Sequence, residues 1–233
     1  MIDLGNDVDG VTSSSLIWRY FKEAFNAELS VYIPQRLREG YGLNKEAITH
    51  LAQRGTQVLV TVDNGSAAVE EVKHAQDLGM DVIIIDHHTV SNPEPPAFAH
   101  LNPHRETCSY PDKRLAAVGV VFMLLIHLRR LTREDPRFQA AKQPNLTNLL
   151  DIVALGTVAD VAQLKGVNRA LVKSGIETAK KIKRPGIVAL SEVSKCQLDE
   201  LSAYHIGHKL GPRSNAAGRI DDARCGFKLL ISD

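Results

Sequence analysis

Val82-Ile83-Ile84-Ile85-Asp86-His87-His88 is an aliphatic run that stops on one carboxylate and two imidazoles. Four consecutive aliphatic residues suit a strand buried on both faces, as in a parallel sheet. Open α/β sheets place their ligand chemistry at the carboxyl ends of such strands. A lone histidine there would be ordinary packing. Three side chains able to bind metal, arriving together at a strand end, mark a functional site.

The same pattern recurs upstream. Val58-Leu59-Val60-Thr61-Val62 runs into Asp63-Asn64-Gly65, and Asp7-Val8-Asp9-Gly10 precedes Val11-Thr12-Ser13-Ser14-Ser15 and a helical stretch over 16–25. Read as an extended segment, Asp7 and Asp9 point to one side and reach one ion or a bridged pair. Taken singly, each is a turn former or an N-cap. In a doubly wound sheet, strand ends of this kind converge along one edge. A fourth carboxylate comes from 149–162, apolar almost all round and therefore expected to be a buried helix. Asp160, deep in that run beside Gly156, is costly unless paired or metal-bound. Asp151 reads instead as a first-turn carboxylate of the same helix.

The resulting set is Asp7, Asp9, Asp63, His87, His88 and Asp160. Carboxylate oxygen with one or two imidazoles suits Mn²⁺ or Mg²⁺ better than structural zinc. An odd number of carboxylates suggests two ions sharing a bridging Asp. Two ions about 3.5–4 Å apart clamp the attacking and leaving oxygens of a displacement at phosphorus, so phosphoester hydrolysis is the expected reaction class.

Working outward, strands are expected near 30–33, 57–63, 80–86 and 98–101, with helices near 13–25, 45–54 and 67–78. That alternation implies an α/β fold, a parallel β-sheet flanked by helices with right-handed crossovers. After Pro111 the chain becomes mainly helical, with helices near 115–131, 146–161, 167–183 and 185–194 and a polar loop over 132–145. Pro185 suits the first helical position. Residues 221–230 are expected to form a further helix.

The series Asp7-Val8-Asp9-Gly10, Val62-Asp63-Asn64-Gly65, Asp86-His87-His88 and Gly156-Thr157-Val158-Ala159-Asp160 resembles the motifs of the DHH phosphoesterase superfamily. The RecJ branch, single-stranded-DNA exonucleases of 5′→3′ polarity, is the most similar. Pro34-Gln35-Arg36-Leu37-Arg38-Glu39-Gly40-Tyr41-Gly42 resembles the segment after that branch's second strand. Leu101-Asn102-Pro103 and Gly211-Pro212-Arg213-Ser214-Asn215-Ala216-Ala217-Gly218-Arg219 resemble its later motifs.

The resemblance implies roles. Asp7 and Asp63 would hold one Mn²⁺, and Asp9, Asp63, His87 and Asp160 the other, with Asp63 bridging and Mg²⁺ as the alternative ion. His88 would contact the scissile phosphate, so the catalytic roles fall on His88 and Asp63. Arg36, Asn215 and Arg219 match positions that hold phosphates of the DNA strand, a task suited to bidentate arginine. Family members usually have a full apolar strand and a further Asp before the first motif. Here only Met1-Ile2-Asp3-Leu4 precedes Gly5-Asn6, so a short first strand is expected, with Gly5 in place of that Asp. Asp3 is either a substitute ligand or a frayed terminal residue. The implied organisation is an α/β half over 1–112 carrying the first three motifs, and a helical half of the same DHH domain over 113–220. Residues 221–233 would begin a linker helix to a DHH-associated domain.

Composition agrees. The chain has 233 residues, 44% hydrophobic, with a formal net charge of +1 at pH 7. That is enough core for one large soluble domain, without a run of membrane-spanning length. Cys108, Cys196 and Cys225 are scattered without ligand spacing, which fits a reduced cytoplasmic setting. The charge balance is not that of an avid duplex binder. Locally, Lys165, Arg169, Lys173, Lys180, Lys181, Lys183 and Arg184 face only Glu177 over 165–184, either a solvated helix face or a strand-guiding surface. A second basic cluster comprises His205, His208, Lys209, Arg213, Arg219 and Arg224. Aromatics are 5% of the chain, so stacking platforms are scarce; Tyr41, Phe98 and Tyr110 are the candidates.

The leading expectation is a metal-dependent phosphodiesterase core acting on single-stranded DNA from the 5′ end, in repair or recombination. Replication and repair proteins are its implied partners, and the oligomeric state is left open. Two other readings stand beside it: a short-oligonucleotide or cyclic-dinucleotide phosphodiesterase, and a catalytically weak replication or repair scaffold.

Overall fold

The computed structural model describes residues 2–4, 7–32, 42–220 and 224–232, with the backbone alone at 3, 4 and 217–220. Strands β1 (Ile2–Leu4), β2 (Val31–Tyr32), β3 (Val58–Val62), β4 (Asp81–Ile85) and β5 (Ala99–Leu101) form one parallel sheet in the order β2-β1-β3-β4-β5. The chain leaves β1 in one direction to make β2 and returns past it to make β3. This puts a topological switch point between β1 and β3, where such sheets bind ligands.

Alternation along the aliphatic runs serves two cores. Val82 and Ile84 of β4, with Leu59 of β3, pack beneath α2 (Lys45–Gln53) and α3 (Val69–Asp77). Ile83 and Ile85, with Val60 and Val62, face the larger core built from α1 (Val8–Phe25), α4 (Ala117–Glu134) and α5 (Leu150–Ala159). Both faces of the sheet are therefore covered, and that is why these strands read as continuous rather than alternating apolar sequence.

Helix α5 is the axis of the second layer. Every residue from Leu150 to Thr157 is buried, and it lies between α1 and α6 (Gly166–Ile182). Gly156 allows the crossing with α1. A Cβ there would collide with Thr12 Oγ1 and stand 2.8 Å from Val118 Cγ1. Helix α7 (Pro185–Val193) starts with Pro185 at its first turn. It is followed by a short turn α8 (Ala203–His205), a π-helical segment Ile206–Leu210, α9 (Gly211–Ile220) and α10 (Arg224–Ile231). The first residues of the helix expected over 221–230 lie outside the described residues. Among the described residues, no helix is long and apolar enough to cross a membrane.

Several expectations need correction. Asp7-Val8-Asp9 is not an extended segment, and α1 begins at Val8 rather than near residue 13. The cause is the Asp7 carboxylate, whose Oδ1 accepts the amides of Asp9 and Gly10 and caps the helix. The helix expected over 146–161 is a 3-10 turn, Leu146–Leu149, followed by α5, which ends at Ala159. Asp160 is its C-cap, so it does not sit deep in the helix, and Val161 turns the chain away with a φ of 60°. Helix α4 runs to Glu134, beyond the expected boundary, and a 3-10 turn Pro136–Phe138 follows. The backbone of Asp3 is paired to Tyr32 on one side and Thr61 on the other, so it is not frayed. Arg184 leaves the basic surface altogether. It is 5% exposed and forms a two-pronged pair with Asp151, itself 2% exposed.

Candidate metal centre

The switch point gathers acidic and imidazole side chains from separate elements. Asp7 arrives as the N-cap of α1 and Asp9 on its first turn, Asp63 at the end of β3, His87 and His88 at the end of β4, and Asp160 at the end of α5. Asp63 leaves the strand in a left-handed conformation, φ 61°, and the turn continues through Gly65 at φ 104°. A non-glycine residue in that region stores local strain, a feature that clusters at functional sites.

His87 Nε2 lies at the centre. It is 3.3 Å from Asp63 Oδ1, 3.8 Å from Asp9 Oδ2 and 3.9 Å from Asp160 Oδ1. Two sets of ligand atoms, Asp63-His87-His88 and Asp9-His87-Asp160, each lie within 4.8 Å of one another. Asp7 belongs to neither set; it reaches the same edge as the α1 cap. Both carboxylate oxygens of Asp63 and the His87 Nε2 are buried without a hydrogen-bond partner. Buried polar atoms almost always find partners, so this orphaned trio is the observation that fits a cation.

The electrostatics agree. Burial, with Asp9 and Asp7 nearby, pushes the Asp63 carboxyl well above the usual range. Burial and then Asp160 do the same to Asp9, although Asp9 Oδ2 and Oδ1 accept the amides of Ala117 at 2.7 Å and Val118 at 2.9 Å. Those two bonds cap α4, whose own N-cap is Ala116, and set the positive end of the helix dipole against Asp9. Burial and Asp7 raise Asp160 to about 6. Burial lowers His87, leaving a neutral imidazole, the form that ligates metal.

Asp86 behaves differently from its neighbours. Burial would raise it, but hydrogen bonds from His88 and Ser66 hold it below the usual carboxylate range. Its Oδ1 accepts the amides of His87 at 2.7 Å and His88 at 3.2 Å, and the Nδ1–H of His88 at 2.8 Å; its Oδ2 accepts the Ser66 amide at 3.0 Å. Sequence reasoning left Asp86, Ser66 and Asn102 without roles. The Asp86-His87-His88 motif and the Asn102-Pro103 pair were visible, but their contacts exist only in the assembled sheet edge.

Of the residues expected to hold DNA phosphates, only Asn215 has its side chain among the described residues. Arg36 and Tyr41 lie outside the described residues, as does the side chain of Arg219. Asn215 comes to the site from α9: its Oδ1 accepts the Val8 amide at 3.2 Å, adding to the cap of α1. Phe98 is 71% exposed, whereas Tyr110 helps line a cavity of about 390 Å³ between β5 and α4.

A parallel sheet whose switch point gathers aspartates with a part-buried His87 and an exposed His88 is a candidate metal centre, and comparison with known proteins gives the family. The chain belongs to the DHH family: residues 1–157 match the DHH family N-terminal domain. It is 43% identical to the single-stranded-DNA-specific exonuclease RecJ of Escherichia coli over 230 residues, which are 97% of this chain and 40% of that protein. It is 38% identical to the RecJ of Bacillus subtilis over 227 residues, 27% of that protein. The chain thus spans less than half the length of these relatives. Its structure is similar to that of a RecJ exonuclease bound to manganese, with a TM-score of 0.85 and 30% identity over 99% of this chain and 55% of the other. Against RecJ from Thermus thermophilus in complex with Mn²⁺ the TM-score is 0.79 at 27% identity, covering 32% of that chain.

Proposed function

We propose that this chain is the catalytic core of a RecJ-like exonuclease, hydrolysing phosphodiesters of single-stranded DNA from the 5′ end in the cytoplasm. The observation that carries this reading is the orphaned trio of Asp63 Oδ1, Asp63 Oδ2 and His87 Nε2, ringed by Asp9 and Asp160. Similarity to exonucleases over 97% of the chain supports the substrate. Two Mn²⁺ ions fit the donor set, with Mg²⁺ as the alternative. Asp7 and Asp63 would hold one ion, and Asp9, Asp63, His87 and Asp160 the other.

Divalent ions held there supply positive charge to the phosphoryl group and to the attacking and leaving oxygens. The protein's own residues do the rest. Asp63, with both oxygens buried and lacking a hydrogen-bond partner, would be the residue shared by the two ions. Asp9 is held rigid by Ala117 and Val118. His88 has its Nδ1 committed to Asp86, which leaves Nε2 for the scissile phosphate. Arg36, Asn215 and Arg219 are assigned to phosphates along the strand, and 1–112 and 113–220 to the two halves of one DHH domain. Residues 221–233 are assigned to a linker towards a further domain.

The test is release of mononucleotides by the metal-depleted chain from single strands carrying a 5′-phosphate and a label at either end. Mn²⁺-dependent release beginning at the 5′ end is the expected result. Absence of release with Mn²⁺ and with Mg²⁺ would overturn the assignment.

A further inference from the structure

Three strand ends meet behind the His88 ring, and one side chain joins them. Asn102, at the end of β5 and 3% exposed, spends both amide N–H bonds inside the protein. One donates to the His88 carbonyl at 2.8 Å and one to Ser66 Oγ at 2.8 Å. Its Oδ1 accepts the His104 amide, also at 2.8 Å. Because a backbone N–H fixes the oxygen and a backbone carbonyl fixes the nitrogen, the amide has only one possible orientation.

The rest of the hydrogen-bond chain follows. Ser66 Oγ accepts from Asn102 and lies 2.9 Å from His100 Nε2. His100 Nδ1 in turn lies 3.5 Å from Glu94 Oε2. The Ser66 amide then donates to Asp86 Oδ2 at 3.0 Å, and Asp86 Oδ1 receives His88 Nδ1. His88 is gripped twice, at its ring through Asp86 and at its backbone through Asn102, and Ser66 couples the two grips.

We propose that Asn102 is a positioning residue for His88: its two N–H bonds lock the His88 backbone to the Ser66 turn, whose amide holds Asp86, and so fix where the His88 ring stands at the metal centre. Asn102 reaches no ligand atom of the centre itself. Its effect therefore falls on turnover rather than on metal binding. This inference rests on the exonuclease reading for its kinetic arm and on geometry alone for its exchange arm.

Asn102→Asp and Asn102→Ala are the informative variants. The aspartate keeps the acceptor for His104 and the side-chain shape but loses both donors, so it separates positioning of His88 from simple capping of the 102–104 turn. Loss of such outer-shell support typically lowers activity about 10- to 100-fold. The expected kinetic result is a fall of that size in maximal rate for both variants, with the Mn²⁺ midpoint unmoved. His88→Ala combined with Asn102→Ala is expected to be no slower than His88→Ala alone, as for residues acting as a unit.

Amide hydrogen exchange of the metal-free full chain gives the second arm. Exchange at Ser66, His87 and His88 is expected to accelerate in both variants while that of Val60 and Ile84 in the strands stays at wild-type rates. Additive rate losses in the double variant, a shifted Mn²⁺ midpoint, or unchanged exchange at those three amides would each overturn the proposal. If the wild-type chain releases no nucleotide, the exonuclease reading fails, and the exchange arm still decides the role of Asn102.

Discussion

Asp86 Oδ1 and His88 Nδ1 lie 2.8 Å apart, and this contact decides which ring nitrogen of His88 carries the proton. Asp86 is held ionised, so it can only accept, and the proton sits on Nδ1. The hydrogen bond also raises His88 above its ordinary value against the opposing effect of burial. Asp86 is therefore a positioning group, although it sits beside two candidate ligands in sequence.

The two histidines separate by titration. His87→Ala removes the nitrogen nearest Asp63, Asp9 and Asp160, so the Mn²⁺ concentration at half-maximal rate is expected to rise at least tenfold, about 1.4 kcal/mol of lost binding. His88→Ala and Asp86→Asn are expected to lower the maximal rate with little movement of that midpoint. Superimposable metal titrations for the two histidine variants would contradict this division.

Without metal the centre opposes folding, and the sign of its pH dependence follows. Asp9, Asp63 and Asp160 are raised in the folded state, Asp160 to about 6. Groups of this kind contribute stability below the ordinary carboxylate pKa and lose it as pH rises through the folded value. His87, lowered by burial, contributes the opposite slope, while His88, raised by its hydrogen bond to Asp86, adds to the falling one. The thermal midpoint in EDTA is expected to fall from about pH 4 to pH 7. Asp63→Asn relieves like-charge repulsion and should gain at least about 1 kcal/mol at pH 7, roughly 2–4 °C. A midpoint that rises across that range, or an Asp63→Asn variant less stable than wild type in EDTA, would count against the electrostatic account.

The α1–α5 crossing is tight at Gly156. A methyl group there meets Thr12 Oγ1 and Val118 Cγ1, and lies 3.2 Å from Asp9 Oδ1. Gly156→Ala is expected to destabilise by about 1–3 kcal/mol through overpacking and to raise the Mn²⁺ midpoint, since Asp9 must move. Differential scanning calorimetry and a metal titration read the two effects; wild-type values in both would mean the helices separate without cost.

Arg184 offers a contrast between buried and solvated cations. Removing one partner of a buried ion pair leaves the other charge uncompensated and costs about 3–5 kcal/mol. Arg184→Ala should therefore lower the thermal midpoint by roughly 6–20 °C. Lys181→Ala, three residues away on the exposed face, should change stability by less than about 0.5 kcal/mol. Comparable losses at both positions would show that the Asp151 pair is not what distinguishes them.

The sheet was legible because its signal is local. The run from Val82 to Ile85 is buried on both faces, and the strand ends announced themselves by a change from aliphatic to Asp, Gly and His. The helices were legible in place but not in their ends, which depend on caps. Asp7 moved the start of α1, and the left-handed Val161 ended α5 before Asp160. Asp160 was singled out for lying deep in a helix, whereas it reaches His87 from the helix terminus. Asp151 and Arg184 show the limit of charge patterning: 33 residues separate them in sequence, and only the packing of α5 on its neighbours makes a buried pair of them. The roles of Ser66 and Asn102 are likewise tertiary, because each touches a different strand end.

The central claim is that Asp63 bridges two divalent cations in this centre. Isothermal titration of the metal-depleted full chain with MnCl₂ addresses it directly, with the Asp63→Asn variant as comparison. Two Mn²⁺ per wild-type chain are expected, and fewer than one per chain for Asp63→Asn over the same concentration range. Wild-type stoichiometry and affinity in the variant, or no Mn²⁺ bound by the wild-type chain, would contradict the account.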